Sequence, residues 1–338
     1  MATEPSSASD KLDRAVIVTG LVVIVGMIMV ILDTTIVNVA IDTLSRELDA
    51  SLSTTQWVIT GYLLALGVAV SVAGWAIDRF GVKPVWLCAL VLFTIGSALC
   101  AVAWSMSALI GCRLLQGLGG GLMMPTAQTI LVRAAGPARL GRAMSILGVP
   151  MLLGPVFGPV IGGLLVEKVS WHWIFIVNLP IGVFAFWLAN RKLTNGGALA
   201  TPSRFDVVGI VLFAGGFVSV LYGLSEAASR GSFGEASVIT WLAVGLTALA
   251  AFVGHSIRRG DQAVIDVRLY ANRLFSGGSV TIFLVGIALF GGMLLLPLYY
   301  QAARGEGALN AGLLLAPQGL GAALVMPIVG RLVDRVGA

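Results

Sequence analysis

The chain has 338 residues, of which 58% are hydrophobic and 11% charged, with a mean hydropathy of +0.97. Soluble domains carry roughly 25% charged residues, so water is excluded as the solvent for most of this chain. The net charge of +5 is explained below by membrane topology and calls for no nucleic-acid partner.

A bilayer-crossing helix needs about 20 mostly apolar residues, and uncharged runs of that kind recur along the chain. Residues 1–14 are polar, lack a signal-peptide pattern, and are read as a cytoplasmic tail. Span 1 begins with the run Ala15 to Leu32, and span 2 occupies Ala50 to Ile77. Pro84 to Cys112 is too long for one helix and is expected to break near Ala103-Trp104-Ser105-Met106-Ser107, leaving span 3 before it and span 4 at Ala108 to Val132. Spans 5 and 6 follow at Ala143 to Val166 and Trp171 to Asn190. Spans 7 and 8 lie at Val207 to Ser225 and Ala236 to Ile257, and spans 9 and 10 at Leu274 to Ala303 and Gly307 to Gly330. With the tail inside, sixteen of the 21 Lys and Arg fall on the cytoplasmic side and four outside; Arg113, the remaining one, lies within a span. Such a bias is the positive-inside pattern. It places the protein in the inner (plasma) membrane as a multi-pass chain with its N-terminus in the cytoplasm.

Cys88, Cys100 and Cys112 lie in apolar segments with no C-x-x-C spacing, so they read as packing residues and no metal site is expected. His172 and His255 have no carboxylate or second His at ligand spacing and receive no chemistry. There is no P-loop or Gly-rich phosphate cradle. No cofactor is expected, and a proton gradient is the expected energy source.

One motif occurs twice. Gly74-Trp75-Ala76-Ile77-Asp78-Arg79-Phe80-Gly81 returns as Gly330-Arg331-Leu332-Val333-Asp334-Arg335-Val336-Gly337, both G-x-x-x-D-R-x-G behind an apolar run. With Lys83, the first copy resembles the cytoplasmic signature between helices 2 and 3 of the major facilitator superfamily. Arg113-Leu114-Leu115-Gln116-Gly117 is similar to the superfamily's R-x-x-Q-G element. Gly154, Gly158, Pro159, Gly162 and Gly163 match the G-x-x-x-G-P-x-x-G-G signature of its antiporters. Added to Leu32-Asp33-Thr34-Thr35, Gln56-Trp57-Val58 and Asn178-Leu179-Pro180-Ile181-Gly182, these segments make the chain resemble the fourteen-span drug:proton antiporters, from Asp33 to Gly337. His172 stands where that pattern usually has Arg.

The resemblance implies an all-α polytopic fold with a tail (1–14), an N-terminal six-helix bundle (15–190), a cytoplasmic linker (191–206), two inserted helices (207–257), a cytoplasmic loop (258–273) and the first two helices of a second bundle (274–338). The family pattern has four helices more than these ten spans. Ten helices alone are expected not to carry proton-coupled export. The implied function is proton-coupled export of small, lipophilic or drug-like molecules by alternating access, and not enzymatic turnover. An uptake or lipid-moving permease on the same fold, or a non-transporting membrane protein, stays open at this point.

Asp33 and Arg113 are the candidate proton-coupling residues. An ionised carboxylate in hydrocarbon must be paired, protonated or turned inward. Alternatively, Asp33 simply ends span 1 at the interface. Span 4 runs antiparallel to span 1, and Arg113 falls at a depth similar to that of Asp33. The two are therefore expected to meet, either as a switch that loads and releases a proton or as a static helix-joining pair. Gly81 suits a turn with positive φ. Gly74, Asp78, Arg79, Gly81 and Lys83, with Gly330, Asp334, Arg335 and Gly337, form a candidate cytoplasmic gate, against which stands a plain topogenic loop. The glycines of span 5 are either a close-packing stripe or part of the interface between bundles, and Gly119-Gly120-Gly121 is read as packing. Asn38, Tyr62, Met123, Met124 and Gln128 are the candidates for lining a substrate cavity.

Overall fold

A computed structural model describes residues 14–136, 154, 157–158, 160–194, 205–306 and scattered positions between 310 and 332. Among them every regular element is helical. Helix α1, Arg14–Glu47, is 34 residues long and runs without interruption through Asp33. The carboxylate therefore does not end the first span. A short turn of helix, α2 (Leu52–Thr55), leads into α3, Trp57–Phe80. Gly81 follows with φ 86°, the conformation expected of it, and its N–H caps the Ile77 carbonyl at 2.8 Å. α4, Val82–Ala101, starts at once.

The break expected near Ala103 is real. Ser105 is extended, accepts the Ala108 N–H and caps α5, Met106–Ala135. Helix α6 comprises the helical positions among 154–168. The segment read as span 6 is divided into α7, Trp173–Ile176, and α8, Asn178–Lys192. Pro180 has no N–H to offer the carbonyl four residues back, that of Ile176, and α7 ends there. Helices α9 (Val207–Arg230) and α10 (Ala236–Arg259) form a hairpin, and α11 (Arg273–Leu298) follows two 3-10 turns.

Among the described residues, six helical segments are long and apolar enough to cross a membrane: those in α1, α3, α4, α7–α8, α9 and α10. Thirty-residue α5 is not among them, because Arg113, Gln116, Gln128 and its glycines dilute its hydropathy. It is nonetheless the central helix of the first bundle. Gly117 and Gly121 let it approach the backbone of α3 at Tyr62 and Leu66, and Gly119 does the same for Phe93 of α4. Any Cβ there would strike a neighbouring backbone, so small residues set the interaxial distance.

The buried apolar residues form two clusters. One contains Val22, Val23, Met27 and Val30 of α1, Trp86, Leu90 and Phe93 of α4, Met123 and Ala127 of α5, and Ala185 and Ala189 of α8. The other contains Ile36, Val37 and Ala40 of α1, Cys100 and Ala101 of α4, Met106 and Leu109 of α5, and Ile174 and Phe175 of α7. Helices α1, α4 and α5 pass from one cluster to the other, α7 gives way to α8, and the residues between the clusters are polar.

Candidate functional site

Between the clusters lie Asp33 on α1, Ser97 on α4, Arg113 and Gln116 on α5, and Asn178 at the start of α8, all at most 1% exposed. Their placement follows from helix geometry. Arg113 and Gln116 are three residues apart and share a face of α5. Asp33 is eight residues before Ile41, where the apolar part of α1 ends, or about 12 Å along the axis. Arg113 is seven residues into α5 from Met106, or about 10 Å. Antiparallel packing therefore sets them side by side.

The contacts are reciprocal. Arg113 donates through Nη1 to Asp33 Oδ2 at 2.5 Å and to Gln116 Oε1 at 2.7 Å, and through Nε to the Val58 carbonyl at 3.2 Å. The other carboxylate oxygen of Asp33 accepts from Gln116 Nε2 at 2.9 Å and Asn178 Nδ2 at 3.2 Å. Asn178 Nδ2 also donates to Ser97 Oγ at 3.0 Å, and the Ser97 hydroxyl donates to the Phe175 carbonyl at 2.9 Å. The Tyr62 ring lies under the guanidinium, 4.0 Å from its centroid. The assembly is neutral overall. A proton on Oδ2 would take the place of Arg113, whose guanidinium would then be buried without its anion, and that is costly.

The expected meeting of Asp33 and Arg113 is thus present. Gln116 and Asn178 were visible in the sequence as parts of motifs, but not as ligands of Asp33; a polar residue one turn from a buried Arg was the available signal. Nothing in the sequence pointed to Ser97.

Among the cavity candidates, Tyr62 joins the network, and its hydroxyl, in the buried space beside Gly120, has no hydrogen-bond partner among the described residues. Met123 is packed in the apolar core near Gly26, and Met124 borders that core. Both are thus packed against the apolar core. Asn38 and Gln128 are exposed.

Gly154, Gly158 and Gly162 lie one turn apart and face α1. A Cβ on them would strike Ile31, Thr35 and the Ile36 backbone respectively, and Thr35 Oγ1 donates to the Gly154 carbonyl at 3.2 Å. The stripe therefore joins α6 to the helix that carries Asp33. A Cβ on Gly163 would meet none of the described residues, and Pro159 lies outside them. In the candidate gate, Arg79 is exposed, Asp78 is half-buried, a Cβ on Gly74 would meet none of the described residues, and Lys83 donates to the Asn190 carbonyl at 2.8 Å. Gly330, Asp334, Arg335 and Gly337 also lie outside the described residues.

His255, given no partner by sequence spacing, gains one from the fold. Its Nε2 is 2.8 Å from Asp206 Oδ1. Asp206 caps α9 through the Gly209 N–H and also receives the Val264 N–H and Arg259. Burial pushes this carboxyl up, but the Gly209 N–H, His255 and the Val264 N–H together pull it further down, so it sits below the ordinary carboxylate range.

Comparison with known proteins now decides the family. Residues 23–338 match the Major Facilitator Superfamily. The chain belongs to this family of membrane transporters. It is 40% identical to the Multidrug resistance protein B homolog of Mycobacterium tuberculosis over 98% of its own length and 61% of that protein's. It is 35% identical to the Putative multidrug resistance protein MdtD of Pectobacterium atrosepticum over 94% of its length and 67% of that protein's. The chain thus spans about three fifths of the length of the first of these relatives. Among solved structures, the proton:xylose symporter XylE bound to 6-bromo-6-deoxy-D-glucose superposes with a TM-score of 0.67, at 14% identity, covering 96% of this chain and 70% of that one. At that identity the likeness shows the fold.

Proposed function

We propose that this protein is a proton-coupled exporter of small lipophilic or drug-like molecules, seated in the plasma membrane with its N-terminus in the cytoplasm. The observation that carries the proposal is Asp33: a fully buried carboxylate in the middle of a membrane bundle, held by Arg113, Gln116 and Asn178. Proton coupling needs one carboxylate with two environments. In the arrangement described, Arg113 neutralises Asp33. When the bundles rock and separate the pair, a proton replaces the guanidinium as the compensating positive charge. Substrate and proton then compete through the same network. The names of the two relatives support drug-like cargo, and the glycine stripe bound to α1 supports export as the direction, following the antiporter signature.

Asp33→Asn tests this, because the amide keeps the shape but cannot titrate. The full-length variant is expected to insert normally and to lose substrate-induced proton release and gradient-driven dye transport in vesicles. Undiminished proton release from purified Asp33→Asn protein would overturn the assignment. Reversing the pH gradient distinguishes export from uptake.

A further inference from the structure

The network does not stop at the carboxylate. Asn178 stands on the first residue of α8, and the carbonyl of Phe175 lies in α7, on the other side of the break at Val177. Ser97 of α4 reaches both: it accepts from Asn178 and donates to Phe175. Asp33, Asn178, Ser97 and the Phe175 carbonyl therefore form one continuous chain of hydrogen bonds from α1 across α4 to the break. Ser97 and Asn178 are 0% and 1% exposed, so no bulk water substitutes for a lost partner. The chain also has a direction. The Ser97 proton is committed to a backbone carbonyl, which leaves its oxygen lone pairs for Asn178. Asn178 is thereby turned with its N–H groups toward Ser97 and Asp33.

We infer that Asn178, oriented by Ser97, is a positioning residue that sets the protonation equilibrium of Asp33 and ties that equilibrium to the geometry of the α7–α8 break. The inference rests on Asp33 being the coupling group. An N–H donated to a carboxylate favours its charged form. Removing the Asn178 donor therefore favours proton loading, and a more alkaline solution is needed to unload it. Ser97 acts at one remove, through the orientation of the amide. In the opposite sense, a proton on Asp33 weakens the pull on Asn178 and relaxes the contacts on either side of Val177.

The test reads Asp33 directly. Infrared titration of the purified full-length protein, with the Asp33 band assigned by its loss in Asp33→Asn, gives the pH at which this carboxyl is half-protonated. Asn178→Leu is expected to move that midpoint upward by about one pH unit. Ser97→Ala is expected to move it less, and the double variant no further than Asn178→Leu alone. Asn178→Ser, which restores a donor, is expected to recover part of the shift. Should Asn178→Leu fail to fold, the Ser97→Ala midpoint decides the matter. A purely structural role lowers thermal stability and leaves the midpoint in place; unshifted midpoints in Ser97→Ala and Asn178→Leu would overturn the inference. Vesicle transport by the same proteins separates the two proposals. A shifted midpoint in a protein whose transport ignores Asp33→Asn keeps the positioning role and removes the coupling function.

Discussion

The first bundle and the inserted hairpin α9–α10 are both apolar helices, yet they bury different chemistry. Half of the most apolar stretch of α1 is buried, against 17% in α10. The bundle uses that enclosure to hold a charged pair, two amides and a hydroxyl at one level. Among the described residues the hairpin has no such enclosure. Its two helices meet through glycines: Gly216 against Leu249, Gly223 against Leu242, and Gly245 against Val220. Its one buried carboxylate, Asp206, sits at its end, where backbone N–H groups, His255 and Arg259 reach it. Two helices cannot surround a charge in hydrocarbon, while a bundle can. Aromatic contacts tie the hairpin to α3, with Trp57 against Tyr222 at 5.6 Å at one end and Trp75 against Phe205 at 4.3 Å at the other. It is a packed addition to the bundle, with no part in the polar level.

The sharpest way to break this contrast is to remove a charge from the bundle. Arg113→Ala leaves Asp33 buried without its cation and is expected to cost about 3–5 kcal/mol. Combining it with Asp33→Asn should recover much of that loss. Thermal unfolding of the four proteins measures the coupling, and additive effects would mean that the pair contributes nothing as a pair.

A smaller effect is expected from packing. Gly158→Ala places a methyl on the Thr35 side chain and is expected to destabilise by about 1–3 kcal/mol, while impairing transport because α1 is displaced. Gly245→Ala, against Val220 and the Gly216 carbonyl, should cost a similar amount of stability. Transport per folded molecule should be unchanged by it. Equal transport losses in both would erase the functional distinction between bundle and hairpin.

The smallest effect concerns pH. The Asp206 carboxyl is lower in the folded protein than its ordinary value. Its contribution to stability is therefore complete above the unfolded value, near 4, and is lost as pH falls through the folded value. Asp206→Asn should lower Tm by a few degrees at pH 7 and flatten its fall below about pH 4. Scanning calorimetry at pH 7 and pH 3 checks this. A mutant and parent separated by the same amount at both pH values would show that the cap does not depend on charge.

Much was written in the chain itself. Charge spacing marks out the helices α3, α9 and α10 and the first half of α1, because a run long enough to cross hydrocarbon cannot tolerate unpaired charge; the end of α4 needed the Ala103–Ser107 break as well. Gly81 was legible as a turn with positive φ, and the depths of Asp33 and Arg113 predicted that they meet, since helical rise converts residue counts into distance. The tertiary structure alone decided the rest. Asp33 and Ser97 are 64 residues apart in sequence, and no local pattern says that an Asn from α8 will stand between them. His255 finds Asp206 across 49 residues because two helices fold back as a hairpin. Met123 and the glycines of α6 show the same limit: composition names a small or flexible side chain, but only the neighbouring helix decides whether it fills a core, lines a cavity or admits another backbone. Hydrocarbon demands that each helix satisfy its own backbone, which makes the elements readable one at a time. Polar side chains must instead be satisfied by other helices, so their partners become visible only when the helices are packed.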